Sequence, residues 1–240
     1  MSGTRCRLCL QQKVLRKSHI VPEFLYRDLY NDNGHMMGIT GKGSKRWAKV
    51  QKGIRELLFC DDCEQLFNEK YEKPFLTDWL HNNPLSKQLT PEQSYLIKIP
   101  SYERFRLFHL SILFRASVSS GPTFNEVALG KHEEIIRKML LNNDPGSKWQ
   151  YLLFGYVVIH DKTHKIIDLI ARPERRSFDG VNCYSMLYGG VEWWTTVVSH
   201  KTKNLEELAL KIDGSMPMIA IPWNSIPIMQ KIKLALNEGT

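Results

Sequence analysis

The chain has 240 residues, of which 42% are hydrophobic and 24% charged, a balance that excludes an intrinsically disordered chain and leaves room for a sizeable core. No stretch approaches the roughly 20 apolar residues of a membrane-spanning helix. The formal charge is +8, and residues 1–60 carry all of it, with 12 Lys and Arg against 4 Asp and Glu, while the remaining residues hold 21 of each.

In chain order, residues 14–21 read as a short strand running into Pro22. Residues 22–30 have helical spacing, with Pro22 at a first-turn position where its missing N–H costs nothing. Residues 31–46 contain Gly34, Gly38, Gly41 and Gly43 and read as a mobile loop. A strand over 53–60 follows. From Asp62, the spacing of Leu66, Phe67 and Tyr71 predicts a helix that stops near Lys73-Pro74. Residues 81–100, with Pro84, Pro91 and Pro100, read as a linker.

Beyond the linker, Phe105, Phe108 and Ile112 mark a buried helix over 101–118, and a second helix is expected over 131–142. From 149 the period changes to two, which predicts strands at 151–160, 165–171, 181–188 and 191–199. Gly189-Gly190 between the last two is a hairpin turn signal. A helix over 203–211, a strand near 217–221 and a closing helix over 224–237 complete the pattern. The fold class is therefore α+β, with a module over 1–80, a linker over 81–100 and an α+β domain with an antiparallel sheet over 101–240. His109 sits in an apolar helix and reads as a satisfied core residue. Cys183 reads as a small apolar packing residue. Trp193 and Trp194 alternate in a strand, which points one ring to the core and the other to solvent.

Four of the five cysteines form two CxxC pairs, Cys6 with Cys9 and Cys60 with Cys63. Two thiolates two residues apart can face one ion, and two such knuckles complete the tetrahedral shell of a structural zinc. The gap of 50 residues between Cys9 and Cys60 exceeds the roughly 15–20 of a zinc ribbon, so the metal clasps a motif rather than a turn. Cysteines in this pattern behind an N-terminus without an apolar run suggest ligation in a reducing cytoplasm. Lys42, Lys45, Arg46, Lys49, Lys52 and Arg55, with Trp47 among them, read as a phosphate-contacting surface, because a local positive field attracts polyanions and releases their counterions.

The order CxxC, then Ser18-His19-Ile20-Val21-Pro22, then a strand, then Cys60-x-x-Cys63-Glu64 opening a helix resembles the HNH, or ββα-metal, endonucleases. It is most similar to the branch in which two CxxC knuckles brace the motif. Ser18 to Phe24, Gly53 to Glu56, Tyr71-Glu72 and Leu113 to Ser117 also resemble uncharacterised bacterial HNH-like proteins. The resemblance covers residues 1–75 specifically and implies a one-metal nuclease acting on nucleic acid, DNA rather than RNA. His19 matches the general base that takes a proton from the attacking water. Glu64 and Asn68, one helical turn apart, match the helix side of a magnesium or manganese site, and Glu72 continues the row. Two positions depart from the family: Ser18 stands where an aspartate or histidine ligand is common, and Glu64 where asparagine or histidine is usual. With Ser18 a poor ligand, Glu56 or Glu64 would have to serve. The alternative is a non-catalytic zinc protein that binds nucleic acid or a protein partner. No membrane partner is expected, and the C-terminal region offers a surface for a protein partner or a second copy.

Overall fold

The computed structural model describes residues 5–39, 47–85, 89–226 and 229. Strand β1 (Leu15–His19) pairs antiparallel with β4 (Arg55–Cys60), and helix α1 (Asp61–Phe67) leaves β4 without a connecting loop. Inside the glycine-containing segment that reads as a loop, β2 (Met36–Ile39) and β3 (Trp47–Val50) form a two-stranded antiparallel sheet. Residues 40–46 lie outside the described residues. The expected helix over 22–30 is a tighter 3-10 helix, Glu23–Leu29, fixed by burial of Leu25 and Tyr26 rather than by its own propensity.

The helix opening at the second knuckle does not stop at Lys73-Pro74. It continues through wide π-type turns at Asn68–Glu72, a short α2 (Lys73–Phe75) and further π-type turns at Leu76–His81. Pro74 lacks the N–H that would bond the carbonyl of Lys70, and the widened turns on either side carry the chain past it. The extension brings Phe75 and Trp79 into the core, both almost fully buried.

A six-stranded mixed sheet has the order β5-β10-β6-β9-β8-β7, formed by β5 (Ser94–Lys98), β6 (Leu153–Ile159), β7 (Ala171–Phe178), β8 (Val181–Tyr188), β9 (Val191–Thr196) and β10 (Ser215–Pro222). Its pairs are antiparallel except β10 with β6. With helices α3 (Tyr102–Val118) and α4 (Lys131–Asn142), the fold is mixed α+β. The stretch read as a linker supplies the edge strand β5. The strand expected at 165–171 is instead a turn that touches β6 through one bridge, Ile159 to Ile166, and the strand lies later, at β7. Its charged sequence, with Pro173 inside it, suits the other edge of the sheet and hides the period of two.

The β8–β9 hairpin turns at Gly189 and Gly190, with φ of 58° and 76°, the two positive angles a two-residue turn of this hand requires. Over 203–211 the structure has a single 3-10 turn, Lys203–Leu205. Of the expected closing helix, a 3-10 turn at Trp223–Ser225 is described, and residues 227–228 and 230–240 lie outside the described residues.

Both faces of the sheet are covered, and this corrects the expectation for the tryptophans. Trp193 is 0% exposed against α3, and Trp194 is 7% exposed beside Leu152, Phe154, Cys183 and Leu205 on the other face. Helix α3 is buried on nearly every side. His109 is a core residue, as read: its Nδ1 meets the Tyr188 hydroxyl, and Phe75, Phe105, Phe108 and Trp193 surround it. One continuous core runs from Cys6 to Ala220. Among the described residues, no helix is long and apolar enough to cross a membrane.

Candidate metal centre and the polar cluster beside it

The first knuckle is a tight turn closed by Leu10 N–H donating to the Cys6 carbonyl, with Leu10 at φ 62°. Arg7 N–H donates to the Leu58 carbonyl at 2.9 Å, which fastens the turn to β4. The second knuckle has Cys60 at the end of β4 and Cys63 in the first turn of α1. All four Sγ atoms lie within 4.8 Å of one another. Cys9 Sγ and Cys60 Sγ are 3.8 Å apart, and a tetrahedral zinc with bonds of about 2.3 Å needs sulfurs about 3.8 Å apart. Cys6, Cys60 and Cys63 are buried and Cys9 is half-buried, so the shell is closed, as structural sites are.

The donor set therefore fits a structural ion such as zinc. The contact with the Cys63 thiol, with the Cys60, Cys9 and Leu8 amides in support, pulls Cys6 down to about 4, while that same contact and burial push Cys63 up. The cluster thus favours the thiolate form of Cys6, the form a metal binds. Lys13 with Asp62 and Arg16 with Asp61, each at 2.7 Å, tie the helix start to the first strand. These pairs are exposed and screened by solvent, so they orient the helix start more than they stabilise it.

Above the knuckles the β1–β4 register sets Ser18 opposite Glu56 and His19 opposite Arg55. Successive residues of a strand face opposite ways, so Ser18 and His19 point to different sides of the hairpin. Ser18 is buried and donates to Glu64 Oε1 on α1, and burial raises the Glu64 carboxyl above its usual range. His19 Nε2 lies 2.8 Å from Glu23 Oε2, and both atoms are shielded from solvent. Burial lowers the His19 pKa, helped by Arg55 and Arg115 and opposed by Glu23 and Glu72. Arg115, 1% exposed, bonds Glu72 at 2.5 Å and lies 4.5 Å over the Phe67 ring.

These positions separate the residues that the sequence grouped. Asn68 is exposed and its amide reaches Glu69 at 3.4 Å, not Glu64. Glu72 is committed to Arg115. Glu56 accepts from Ser119 Oγ, from the Ser120 amide and hydroxyl at 2.8 and 3.0 Å, and from the Gly121 amide at 3.1 Å. Against the penalty of burial, these donors hold it below the usual carboxylate range. Glu56 is thus a strut from β4 to the end of α3 rather than an ion ligand. Glu56→Ala should destabilise the fold by about 1–3 kcal/mol, since it removes a charged acceptor that holds the end of α3, and leave the metal content intact. Denaturant unfolding and elemental analysis check this, and lost metal with unchanged stability would restore the ligand reading.

Among the described residues, the four cysteines are the one group of three or more His, Cys, Asp or Glu with ligand atoms in mutual reach. A second site for magnesium or manganese is not assembled by Glu64, Asn68 and their neighbours. Of the basic cluster, Lys52 and Arg55 are exposed. Lys42, Lys45 and Arg46 lie outside the described residues, as does the side chain of Lys49. Sequence reading missed Glu23, Tyr30 and Arg115. An arginine inside the apolar run Leu107–Ala116 was the signal for Arg115, because a buried guanidinium requires polar or acidic partners. Glu23, four residues after the histidine and just beyond Pro22, carried only a weak signal.

Compared with family models, with curated proteins and with solved structures, the chain has no match.

Proposed function

We propose that this chain cleaves phosphodiester bonds in DNA, with His19 as general base on a module braced by a four-cysteine metal centre. The observation that supports the reading is the junction of β1, β4 and α1: two antiparallel strands lead directly into a helix, the histidine ends the first strand, and the helix carboxylate Glu64 reaches back to Ser18. Burial lowers the His19 pKa and so favours the neutral imidazole, the form able to take a proton from an attacking water. Arg55, directly across the ladder, and Lys17, on the same face, are exposed, where they can balance phosphate charge. A divalent ion at the phosphate would add Lewis-acid stabilisation. The described donors do not build its site, so the chain's own part is proton transfer and phosphate positioning.

A non-catalytic binding protein is the second reading, favoured by the Ser18–Glu64 bond, which occupies the helix carboxylate that the nuclease resemblance assigns to the ion. A plasmid-nicking assay with magnesium, manganese or chelator separates the two. Nicking supports the enzyme; salt-sensitive retention of DNA without nicking supports the binding protein; neither sinks both. Replacing Lys17 and Arg55 together by alanine should flatten log affinity against log salt by about two units if both touch phosphate, at about 0.9 per contact. An unchanged slope would move the contact surface to the 42–46 segment.

A further inference from the structure

We propose that Glu23, anchored by Tyr30, is the positioning residue for His19, holding Nε2 inward and leaving Nδ1 as the ring nitrogen that exchanges a proton. The inference rests on the reading of His19 as the base. Glu23 is the first residue of the 3-10 helix after Pro22, and Tyr30 follows the end of that helix. The Tyr30 hydroxyl donates to Glu23 Oε1 at 2.7 Å, and Glu23 Oε2 approaches His19 Nε2 to 2.8 Å. Tyrosine, glutamate and histidine therefore form one chain, and its two ends are fixed to the backbone of the fold. Ile20 N–H donates to the Ile54 carbonyl at 3.0 Å just after His19, and Ile20, Val21, Leu25 and Tyr26 are buried between the ends.

Burial, with Glu23 adding to it, pushes Tyr30 up to about 12, so it remains a hydroxyl donor at working pH. The approach of Glu23 to the ring lies off the N–H axis, which makes it a charge contact more than an aligned hydrogen bond. A carboxylate at that distance favours the proton on the near nitrogen and stabilises the imidazolium once a second proton arrives. Nε2 is the ring nitrogen buried away from solvent without an aligned hydrogen bond, which leaves Nδ1 as the other position for a proton. Besides Glu23, the charged groups felt by the ring are Arg55 from β4, Arg115 from α3 and Glu72 from the turn after α1. With Glu23 counted, two positive groups face two negative ones, and Glu23, in contact at 2.8 Å, acts on the ring most strongly of the four.

The test is nuclear magnetic resonance of the His19 imidazole in the full-length, metal-loaded protein, comparing the unchanged chain with Glu23→Gln and Tyr30→Phe. In the unchanged chain, the neutral ring should carry its proton on Nε2. Glu23→Gln should titrate at lower pH and mix the two tautomers, and Tyr30→Phe should do so to a smaller extent. An unmoved titration and tautomer in Glu23→Gln would overturn the inference. In the cleavage assay, Glu23→Gln should lose about tenfold, less than the roughly 10²–10⁴ of a general base, and its acidic limb should move to lower pH. Cleavage by Glu23→Gln at the full rate with an unshifted profile would also overturn it. If the unchanged chain cuts nothing, the nuclease reading fails, and the titration still decides the pair.

Discussion

Cys60→Ser should leave the protein unable to retain metal and disordered over residues 5–75. Metal binding by such sites is worth on the order of 10 kcal/mol and is coupled to folding, which is comparable to the roughly 5–15 kcal/mol total stability of a domain. Cys6, Cys60 and Cys63 also belong to the same core as Phe59, Phe67 and Tyr71, so loss of the ion loosens apolar packing along with four thiolates. Elemental analysis of the purified protein and thermal melting with and without a strong chelator measure the effect. A metal-free preparation that melts normally, or an unchanged melt in Cys60→Ser, would sink the structural-ion reading.

His19→Ala should bind DNA within about twofold of the unchanged chain and lose roughly 10²–10⁴ in cleavage rate, the usual contribution of a general base. The expected separation of binding from cutting follows from position. His19 is partly buried against Glu23, with 24% of its side chain exposed, whereas Lys17, Lys52 and Arg55 on the same module are exposed. Single-turnover cleavage beside a retention assay gives both quantities. Cutting at the normal rate would remove His19 from the chemistry, and equal loss of binding and cutting would make it a contact residue.

The metal centre was legible because the requirement is local: two CxxC spacings already fix which thiols can share an ion. Helix α4 and the β8–β9 hairpin were legible for the same reason, since a hydrophobic period and a Gly-Gly pair act over a few residues. Strand β7 was not, because an edge strand needs no alternation and carries Glu174, Arg175 and Arg176 where a central strand would carry valine. The exposed face assigned to one tryptophan failed because burial on the second face depends on chain segments distant in sequence, around Leu152 and Leu205. In the polar cluster, the sequence placed Ser18, His19 and Glu64 near one another, and the structure has Ser18 touching Glu64. It could not show that the pleat turns His19 away from Glu64 towards Glu23, since pleat direction is set by register with β4.

The passage of the helix beyond Pro74 ties two ends of the molecule mechanically. Phe75 stacks on Phe108 with centroids 3.8 Å apart, and the Trp79 ring N–H donates to the Gly189 carbonyl at 3.0 Å. The rod that begins at Cys60 and Cys63 therefore ends on the tip of the β8–β9 hairpin, like an axle seated in a bearing at each end. The same rod is held along its length by Glu72 on Arg115 and by Phe75 on Phe108, so knuckle, core and hairpin tip share one element. A substitution at Gly189, where φ is 58° and an added Cβ would meet the Trp79 ring at 3.2 Å, thus presses on the far end of the helix that carries Cys63.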